Sequence, residues 1–344
     1  MRCVLFLALC VLPILARKSS LPTFYHLTSD LSAQISAQAE SCAAKISVTS
    51  ESCGSDCQID VVDIGEPRAA EKAFYLFGEH ARELVSPETA LALIKSLCAS
   101  NRTAMASAAL QSTQFRIIPN GNPASRQQVE GGEFCLRANA KGVDLNRNWD
   151  AHWSALAGPN TLLDQLNPGK FPFSEVETKI FRDAVSQFNP TLFATIHSGT
   201  KGMYMPWAYD AEAEARVRNA PKMRDVLAEL DAKFCQCPSG AAAQEVGYNS
   251  RGTCLDWVHA NTNASFSYAF EIFTGVDTES LSQRYQQQLR GGDSSFLQLD
   301  DENDSQLKEN CFKQFNPVDI DTYNSVVTNW AQALVELAVI SHSK

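Results

Sequence analysis

The chain is short of positive charge, with 29 lysines and arginines against 39 aspartates and glutamates and a formal net charge of −10. Proteins that bind nucleic acid neutralise phosphates with clustered lysine and arginine side chains. The acidic balance therefore excludes nucleic acid as the expected partner. A hydrophobic content of 44 % describes an ordinary folded chain, long enough to bury a large core.

Long apolar runs are absent from the sequence after its N-terminal segment. No later stretch approaches the roughly 20 apolar residues of a membrane-spanning helix, so we expect no membrane anchor. The N-terminus itself reads "MRCVLFLALCVLPILARKSS". Arg2 precedes a run of about a dozen apolar residues that ends at Ala16 and is followed by Arg17 and Lys18, a pattern typical of a secretory signal peptide. We predict a signal peptide at residues 1–16 and a protein that is secreted, extracellular or held in the secretory-pathway lumen.

The cysteines lack the paired spacing of a zinc site. Of the 11 cysteines, Cys3 and Cys10 lie in the predicted signal peptide, and the other nine are an odd number, which leaves at least one thiol unpaired. In an oxidising compartment they indicate structural disulfides, whose pairing the sequence does not fix. Cys235-x-Cys237 could instead bind a metal, but no second pair accompanies it. Three sequons also fit a secreted glycoprotein, at Asn101, Asn263 and Asn303.

Strand and helix patterns alternate along the chain. Four largely apolar stretches predict buried strands: "AFYLFG" (73–78), "FRIIPN" (115–120), "TLFATIH" (191–197) and "SFSYAFEIF" (265–273). Helical patterns lie around 211–234 and 321–340, and two further helices are expected to begin at Ser86 and at the capping box of Ser174 and Glu177. This alternation predicts an α/β protein with a largely parallel or mixed sheet covered on both faces.

The stretch 276–310 changes character, being rich in glutamine, serine and acidic residues. Such a composition predicts an acidic, solvated loop insertion. A regulatory role for the insertion is possible, but a plain surface excursion is favoured. The sequence shows no internal repeat.

Four polar residues lie at the ends of predicted strands or within them. His80 and Glu83 follow one strand, His197 ends another, and Glu271 lies inside the apolar "YAFEIF". Ligands of open α/β sheets bind beyond the carboxyl ends of strands, and a charge inside an apolar strand is costly unless it is paired or faces a metal or a wet cleft. His197 alone would be read as an ordinary hydrogen-bonded histidine, but two imidazoles and a carboxylate together predict a zinc site with one open position.

The stretch "CLRANAKGVDLNRNWD" (135–150) concentrates Arg137, Asp144, Asn146 and Arg147. A solvated charged loop is the simplest interpretation. However, adjacent asparagine and arginine side chains suit bidentate capture of a carboxylate. Asp144 could accept a hydrogen bond from the second ring N–H of a ligand histidine.

The motifs "HARE", "GVDLNRNW", "IHSG" and "FEI", in this order, resemble those of the zinc metallocarboxypeptidases of the carboxypeptidase A-like family. The resemblance implies a three-layer α/β/α sandwich with a mixed, mostly parallel, twisted central sheet of about eight strands. It also implies a single catalytic domain at 17–344, which carries the acidic loop insertion. Few residues separate the predicted signal peptide from His80, so we expect no folded propeptide. We also expect a monomer.

The resemblance also implies roles for individual residues. His80, Glu83 and His197 match the ligands of one Zn²⁺ per chain. Glu271 matches the general base that takes a proton from the zinc-bound water and returns it to the leaving amine. Arg137 matches the arginine that polarises the scissile carbonyl and stabilises the oxyanion, an effect worth several kcal/mol in such sites.

Four further positions match residues that bind substrate. Asn146 and Arg147 match the pair that anchors the free C-terminal carboxylate, and Tyr248 matches the mobile tyrosine that closes over the substrate. Leu255 falls at the base of the specificity pocket. Because leucine offers only apolar surface, we expect preference for apolar or aromatic C-terminal residues.

The expected function is therefore a secreted zinc exopeptidase that removes single C-terminal residues from peptides and protein C termini. Two alternatives remain. The chain could be a weakly active or inactive relative that binds peptide C termini, although such relatives usually lose a ligand or the base. It could also be a related zinc amidase acting on small acyl-amino acids.

Overall fold

The computed structural model of the chain describes residues 20–155, 166–275 and 301–344. The predicted signal peptide at 1–16 and residues 276–300 of the predicted acidic insertion lie outside these ranges. Within them, no helix has both the length and the apolar character needed to cross a bilayer.

The eight strands of the sheet are β1 (Ile46–Gly54), β2 (Cys57–Ile64), β3 (Glu71–Phe77), β4 (Thr113–Ile118), β5 (Leu192–His197), β6 (Lys201–Met205), β7 (Ser239–Ala241) and β8 (Phe266–Ile272). Their order across the sheet is β1-β2-β4-β3-β5-β8-β6-β7. The pairs β3–β4, β3–β5, β5–β8 and β6–β7 are parallel, and the pairs β1–β2, β2–β4 and β6–β8 are antiparallel. The sheet is therefore mixed and mostly parallel, which confirms the predicted fold class.

The helices are α1 (Thr28–Ser41), α2 (Val85–Cys98), α3 (Ala104–Ser112), α4 (Pro123–Glu130), α5 (Val176–Phe188), α6 (Ala220–Leu230), α7 (Ala242–Glu245), α8 (Cys254–Asn261), α9 (Asp301–Phe315) and α10 (Ile320–Ser343). The apolar faces of α1, α2, α3, α6 and α10 pack into one core on one side of the sheet. Helices α5 and α8 pack into a second core on the other side. Two helical layers therefore cover the sheet.

Three neighbouring parallel strands, β3, β5 and β8, position the candidate site. Side chains alternate between the two cores, so Tyr75 and Phe77 of β3 face the α2 side and Phe74 and Leu76 face the α5 side. Because parallel strands end at the same edge, the residues that follow β3, β5 and β8 meet beyond that edge.

Two predicted helix caps are wrong. Helix α2 begins at Val85, and the Ser86 hydroxyl lies inside the helix, where it accepts from the Gly78 N–H (3.1 Å) and donates to the Ile196 carbonyl (2.7 Å). Helix α5 begins at Val176 without a side-chain cap, because the Ser174 hydroxyl accepts from Asn148 Nδ2 (2.9 Å) and donates to Glu175 Oε1 (2.8 Å) instead. In both cases the serine hydroxyl forms hydrogen bonds with other groups and does not cap the helix.

Two predicted segments also differ from the structure. The helical pattern at 211–234 is broken by Asn219, whose φ is +64°, and by Pro221, so that α6 begins only at Ala220. Residues 301–310, predicted as loop, belong to α9. The buried Phe312 and Phe315 recur at helical spacing and hold this polar helix against the rest of the protein.

Four disulfides join the cysteines of the described residues: Cys42–Cys98, Cys53–Cys57, Cys135–Cys311 and Cys235–Cys237. The predicted disulfide character is confirmed, and the two cysteines of the C-x-C motif bond to each other. Among the described cysteines, Cys254 alone is unpaired, and it is buried.

Candidate active site

The turn after β3 brings His80 and Glu83 together. It starts at Gly78, whose φ of +68° favours glycine and where a Cβ would lie 2.9 Å from Pro87 Cγ. The Glu83 N–H then donates to the His80 carbonyl (3.2 Å). As a result, His80 Nδ1 lies 2.7 Å from Glu83 Oε1, and both side chains are buried.

His197, the last residue of β5, completes the cluster. Its Nδ1 lies 3.1 Å from His80 Nδ1 and 3.0 Å from Glu83 Oε2, and one donor atom from each residue lies within 4.8 Å of the others. Two zinc–nitrogen bonds of about 2.0–2.1 Å at a tetrahedral angle separate the nitrogens by about 3.3 Å. The donor types and their spacing therefore fit a catalytic zinc ion.

The second nitrogen of each imidazole contacts an oxygen on its outer side. His80 Nε2 lies 3.2 Å from Asp144 Oδ1, and His197 Nε2 lies 2.8 Å from Thr195 Oγ1. A proton on each Nε2 leaves both Nδ1 lone pairs directed at the metal position. Burial opposes ionisation of Asp144, but the charge of Arg137 and then that of His80 hold its pKa well below the usual range.

Arg137 lies beside the cluster. Its Nε donates to Asp144 Oδ2 at 2.8 Å, and one terminal nitrogen lies 3.7 Å from Glu83 Oε1. The Arg137 carbonyl accepts from the Ala81 N–H (3.1 Å), so the loop that carries the arginine is joined to the turn that carries His80. The guanidinium is therefore a fixed positive charge at the edge of the donor cluster.

Glu271 of β8 lies directly opposite His197 in the parallel register, so the two side chains share one face of the sheet. The residue is half-buried, and its Oε2 is buried with no hydrogen-bond partner among the described residues. Burial and then the charge of Glu83 raise the pKa of Glu271 to about 7. A carboxyl group with this pKa is suited to both accept and return a proton.

Asn146 and Arg147 lie on a short 3₁₀ turn, Leu145–Arg147, that Asp144 caps through a hydrogen bond from the Asn146 N–H (2.9 Å). Asn146 Oδ1 accepts from the Cys254 N–H (2.9 Å), and its Nδ2 lies 3.5 Å from His197 Nε2. Arg147 donates to the Ser250 hydroxyl (3.2 Å). The side chains of Asn146 and Arg147 are both half-buried beside the donor cluster.

Ser250 and Cys254, which contact this pair, belong to the segment that carries Tyr248 and Leu255. Tyr248 is half-buried and lies two residues before Ser250. Leu255 is 2 % exposed at the start of α8 and packs in a small apolar cluster with Tyr204, Ala208 and Ala242. The structure therefore surrounds Leu255 with apolar and aromatic side chains.

Sequence analysis did not identify Glu79, which lies between Gly78 and His80 and is only 1 % exposed. Its Oε2 lies 2.9 Å from Thr195 Oγ1 and 3.3 Å from Cys254 Sγ. Burial opposes its ionisation, but the hydrogen bond to His197 and the charge of His197 lower its pKa. The signal available in the sequence was a charged residue immediately after a buried apolar strand, which is the same reasoning that identified Glu271.

The model of the zinc carboxypeptidase family matches residues 39–288, well over half of the 344 residues. This chain belongs to the zinc carboxypeptidase family. It is 27 % identical over 211 residues to zinc carboxypeptidase A 1 of Anopheles gambiae, covering 57 % of this chain and 47 % of that relative. It is 30 % identical over 143 residues to carboxypeptidase A1 of Sus scrofa, covering 41 % and 33 % of the two chains. The match to each of these relatives thus spans less than two thirds of the relative's length.

Solved structures share the fold of this chain. The structure of thrombin activatable fibrinolysis inhibitor superposes with a TM-score of 0.64 at 19 % identity, over 92 % of this chain and 75 % of that one. Carboxypeptidase A from Helicoverpa armigera gives a TM-score of 0.58 at 18 % identity, over 90 % and 74 %. These similarities extend the agreement in fold well beyond the strands that carry the candidate site.

We expect zinc to stabilise this protein through His80, Glu83 and His197. A ligand that binds only the folded state adds RT ln(1 + [L]/Kd), about 2.7 kcal/mol at 100 times Kd. Thermal unfolding of chelator-treated protein, with and without added zinc, measures the effect as a rise in Tm. His80→Ala should abolish the rise, and Mg²⁺, which prefers oxygen ligands, is the control ion. An unchanged Tm in the wild-type protein would contradict the site.

Proposed function

We propose that this chain is a secreted zinc-dependent exopeptidase that removes single C-terminal residues from peptides. The observation that supports it best is the position of Glu271, an acid outside the donor cluster that lies opposite His197 on the neighbouring strand. An acid free of the metal, next to three donors that can hold one, is what a hydrolytic site requires. His80, Glu83 and His197 would hold one zinc ion per chain.

When bound, zinc supplies a Lewis acid that polarises a carbonyl and lowers the pKa of water. Glu271 accepts the proton of the attacking water and delivers it to the leaving amine. Arg137 stabilises the negative charge that develops on the carbonyl oxygen, and this stabilisation is stronger in the transition state than in the ground state. Asp144 holds the guanidinium by its Nε, which leaves the orientation of the fork fixed before substrate arrives.

Cleavage at chain ends follows from Asn146, Arg147 and Tyr248. The hydrogen bond from the Cys254 N–H holds Asn146 Oδ1 and so fixes the orientation of the Asn146 amide group. Together with the Arg147 guanidinium it provides donors for a free α-carboxylate. In this proposal Tyr248 closes over the bound substrate.

The apolar surroundings of Leu255 support preference for apolar or aromatic C-terminal side chains. A lysine or arginine side chain in this cluster would lose its hydration without gaining a partner. The preference therefore comes from rejection of charge as well as from burial of apolar surface.

We expect Leu255→Asp to shift the preference toward C-terminal lysine and arginine. A buried carboxylate would pair with the cation and repel apolar side chains, so the selectivity ratio should change by about 10²-fold or more. The kcat/KM values for matched peptides that end in Phe, Leu, Lys or Arg measure the ratio. Leu255→Ala, which enlarges the cluster without adding charge, is the matched control. An unchanged ratio in Leu255→Asp would show that Leu255 does not line the pocket.

The secretory location is part of the proposal. The four disulfides fit an oxidising compartment, and the sequence pattern of residues 1–16 fits export. We further propose that the protein acts as a monomer on peptide and protein C termini, with no nucleic-acid partner.

One assay tests the activity and its alternatives. We expect release of single C-terminal residues from both N-blocked dipeptides and longer peptides, loss of release with a chelator, and recovery with zinc. Zinc-dependent binding without release would indicate a peptide C-terminus-binding relative. Cleavage confined to small acyl-amino acids would indicate the amidase. Either result would contradict the proposed function.

A further inference from the structure

A buried polar network lies behind His197, on the side of the imidazole away from the metal position. Thr195 Oγ1 lies 2.8 Å from His197 Nε2 and 2.9 Å from Glu79 Oε2. Glu79 Oε2 lies 3.4 Å from the same imidazole nitrogen and 3.3 Å from the Cys254 sulfur. All four side chains are buried, so water does not compete for these contacts.

Glu79 lies outside the donor cluster of His80, Glu83 and His197. His197 presents Nδ1 to His80 and Glu83, whereas its Nε2, on the far side of the ring, faces Glu79. A metal bound at Nδ1 would therefore have the imidazole between itself and the Glu79 carboxylate. The carboxylate can act on the metal only through the ring.

The direction of the hydrogen bonds follows from the donor inventory. An ionised carboxylate only accepts, so the Thr195 hydroxyl donates its single proton to Glu79. Thr195 Oγ1 then faces His197 with lone pairs and accepts from Nε2–H. The proton on Nε2 leaves Nδ1 unprotonated, which is the form that binds a metal.

Without the carboxylate, the Thr195 hydroxyl can turn its proton toward His197. It would then donate to Nε2 and favour the tautomer with the proton on Nδ1, where it blocks metal binding. Asp144 gives His80 Nε2 a carboxylate partner directly, at 3.2 Å. His197 Nε2 likewise has a carboxylate oxygen nearby, Glu79 Oε2 at 3.4 Å, and the Thr195 hydroxyl contacts both atoms.

We propose that Glu79 is a positioning residue that, together with Thr195, keeps the proton of His197 on Nε2 and its Nδ1 available to zinc. This inference rests on the metal site of the proposed function. The Cys254 thiol, which also faces Glu79 Oε2, helps to hold the carboxylate in place.

The test is the zinc dissociation constant, measured on purified full-length protein by competition with a chelating dye. We expect Glu79→Ala to weaken zinc binding about 10–100-fold, as loss of an outer partner of a ligand histidine typically does. Glu79→Gln should lose less, because its amide oxygen can still accept from Thr195. Thr195→Val removes the connecting hydroxyl and should weaken binding in the same direction.

A double-variant cycle distinguishes a shared route from two separate structural effects. Because Glu79 and Thr195 contact each other and the same nitrogen of His197, Glu79→Ala combined with Thr195→Val should weaken binding by less than the product of the single effects. Glu88→Gln is the matched control. Glu88 has a fully buried carboxylate that contacts His26 on the α2 side of the sheet, so its loss should lower Tm without changing the zinc affinity.

The outcomes separate this inference from the proposed function. A wild-type protein that binds no zinc contradicts the proposed function itself. If the wild type binds zinc and folded Glu79→Ala binds it within about twofold of the same affinity, less than 0.5 kcal/mol, the inference is wrong. Independent effects of Glu79 and Thr195 would also overturn it. If Glu79→Ala does not fold, the affinities of Glu79→Gln and Thr195→Val decide the question.

Discussion

Glu271→Gln is expected to lower kcat by about 10²–10⁴-fold, the usual contribution of a positioned general base. Glutamine keeps the size and one hydrogen-bonding oxygen of the side chain but cannot accept the proton of the attacking water. Because Glu271 lies outside the donor cluster, zinc content should stay at one ion per chain. Steady-state kinetics on a blocked dipeptide, together with metal analysis of the same sample, measure both quantities.

The metal analysis makes the Glu271 experiment decisive. Loss of zinc from Glu271→Gln would show that the carboxylate is a ligand rather than a base. His197→Ala is the comparison, because it should lose metal and activity together. A Glu271→Gln enzyme with zinc bound and kcat within tenfold of wild type would exclude the proposed role.

Arg137→Ala is expected to lower kcat by about 10²–10³-fold, or roughly 2.7–4 kcal/mol of transition-state stabilisation. The guanidinium is held by Asp144 at a fixed position, so the developing oxyanion meets a charge that needs no reorganisation. Arg137→Lys should recover little, because an ammonium cannot both hold Asp144 and keep the fork geometry. Zinc should remain bound in both variants.

The split between kcat and KM tests the role of Arg137. A fall in kcat and kcat/KM together indicates an interaction made in the transition state, whereas a rise in KM alone would reassign the arginine to substrate binding. Arg116→Ala is the matched control, because Arg116 forms a similar half-buried pair with Asp63 (2.7 Å) on β4 and β2. It should change Tm and leave kcat unaltered.

The central strands could be predicted because their sequences carry the information locally. The runs that became β3, β5 and β8 are almost wholly apolar, and such runs fit a strand buried on both faces. Once the strands are parallel neighbours, polar residues at or beyond their carboxyl ends, such as His80 and His197, must lie near one another. Glu271 could be singled out because it interrupts an apolar strand.

The features that sequence reasoning missed depend on distant partners. Ser86 has the right residue type and position for a cap, but its hydroxyl is used to join the ends of β3 and β5. Helix α9 is highly polar, and its buried side and the Cys135–Cys311 bond appear only when the chain is folded. Glu79 was missed for the same reason, because it contacts Thr195 and Cys254, which are more than 100 residues away in the sequence.

The Cys135–Cys311 disulfide joins residues 176 positions apart in the sequence. Cys135 lies two positions before Arg137. His197 and Glu271 are fixed by backbone pairing within the sheet, and His80 and Glu83 by a tight turn at its edge. Arg137 lies in a loop that is not part of the sheet, and the disulfide restricts the conformations that this loop can adopt. Under the proposed function, reduction of this disulfide is consequently expected to disturb the alignment of Arg137 more than that of His80, Glu83 and His197.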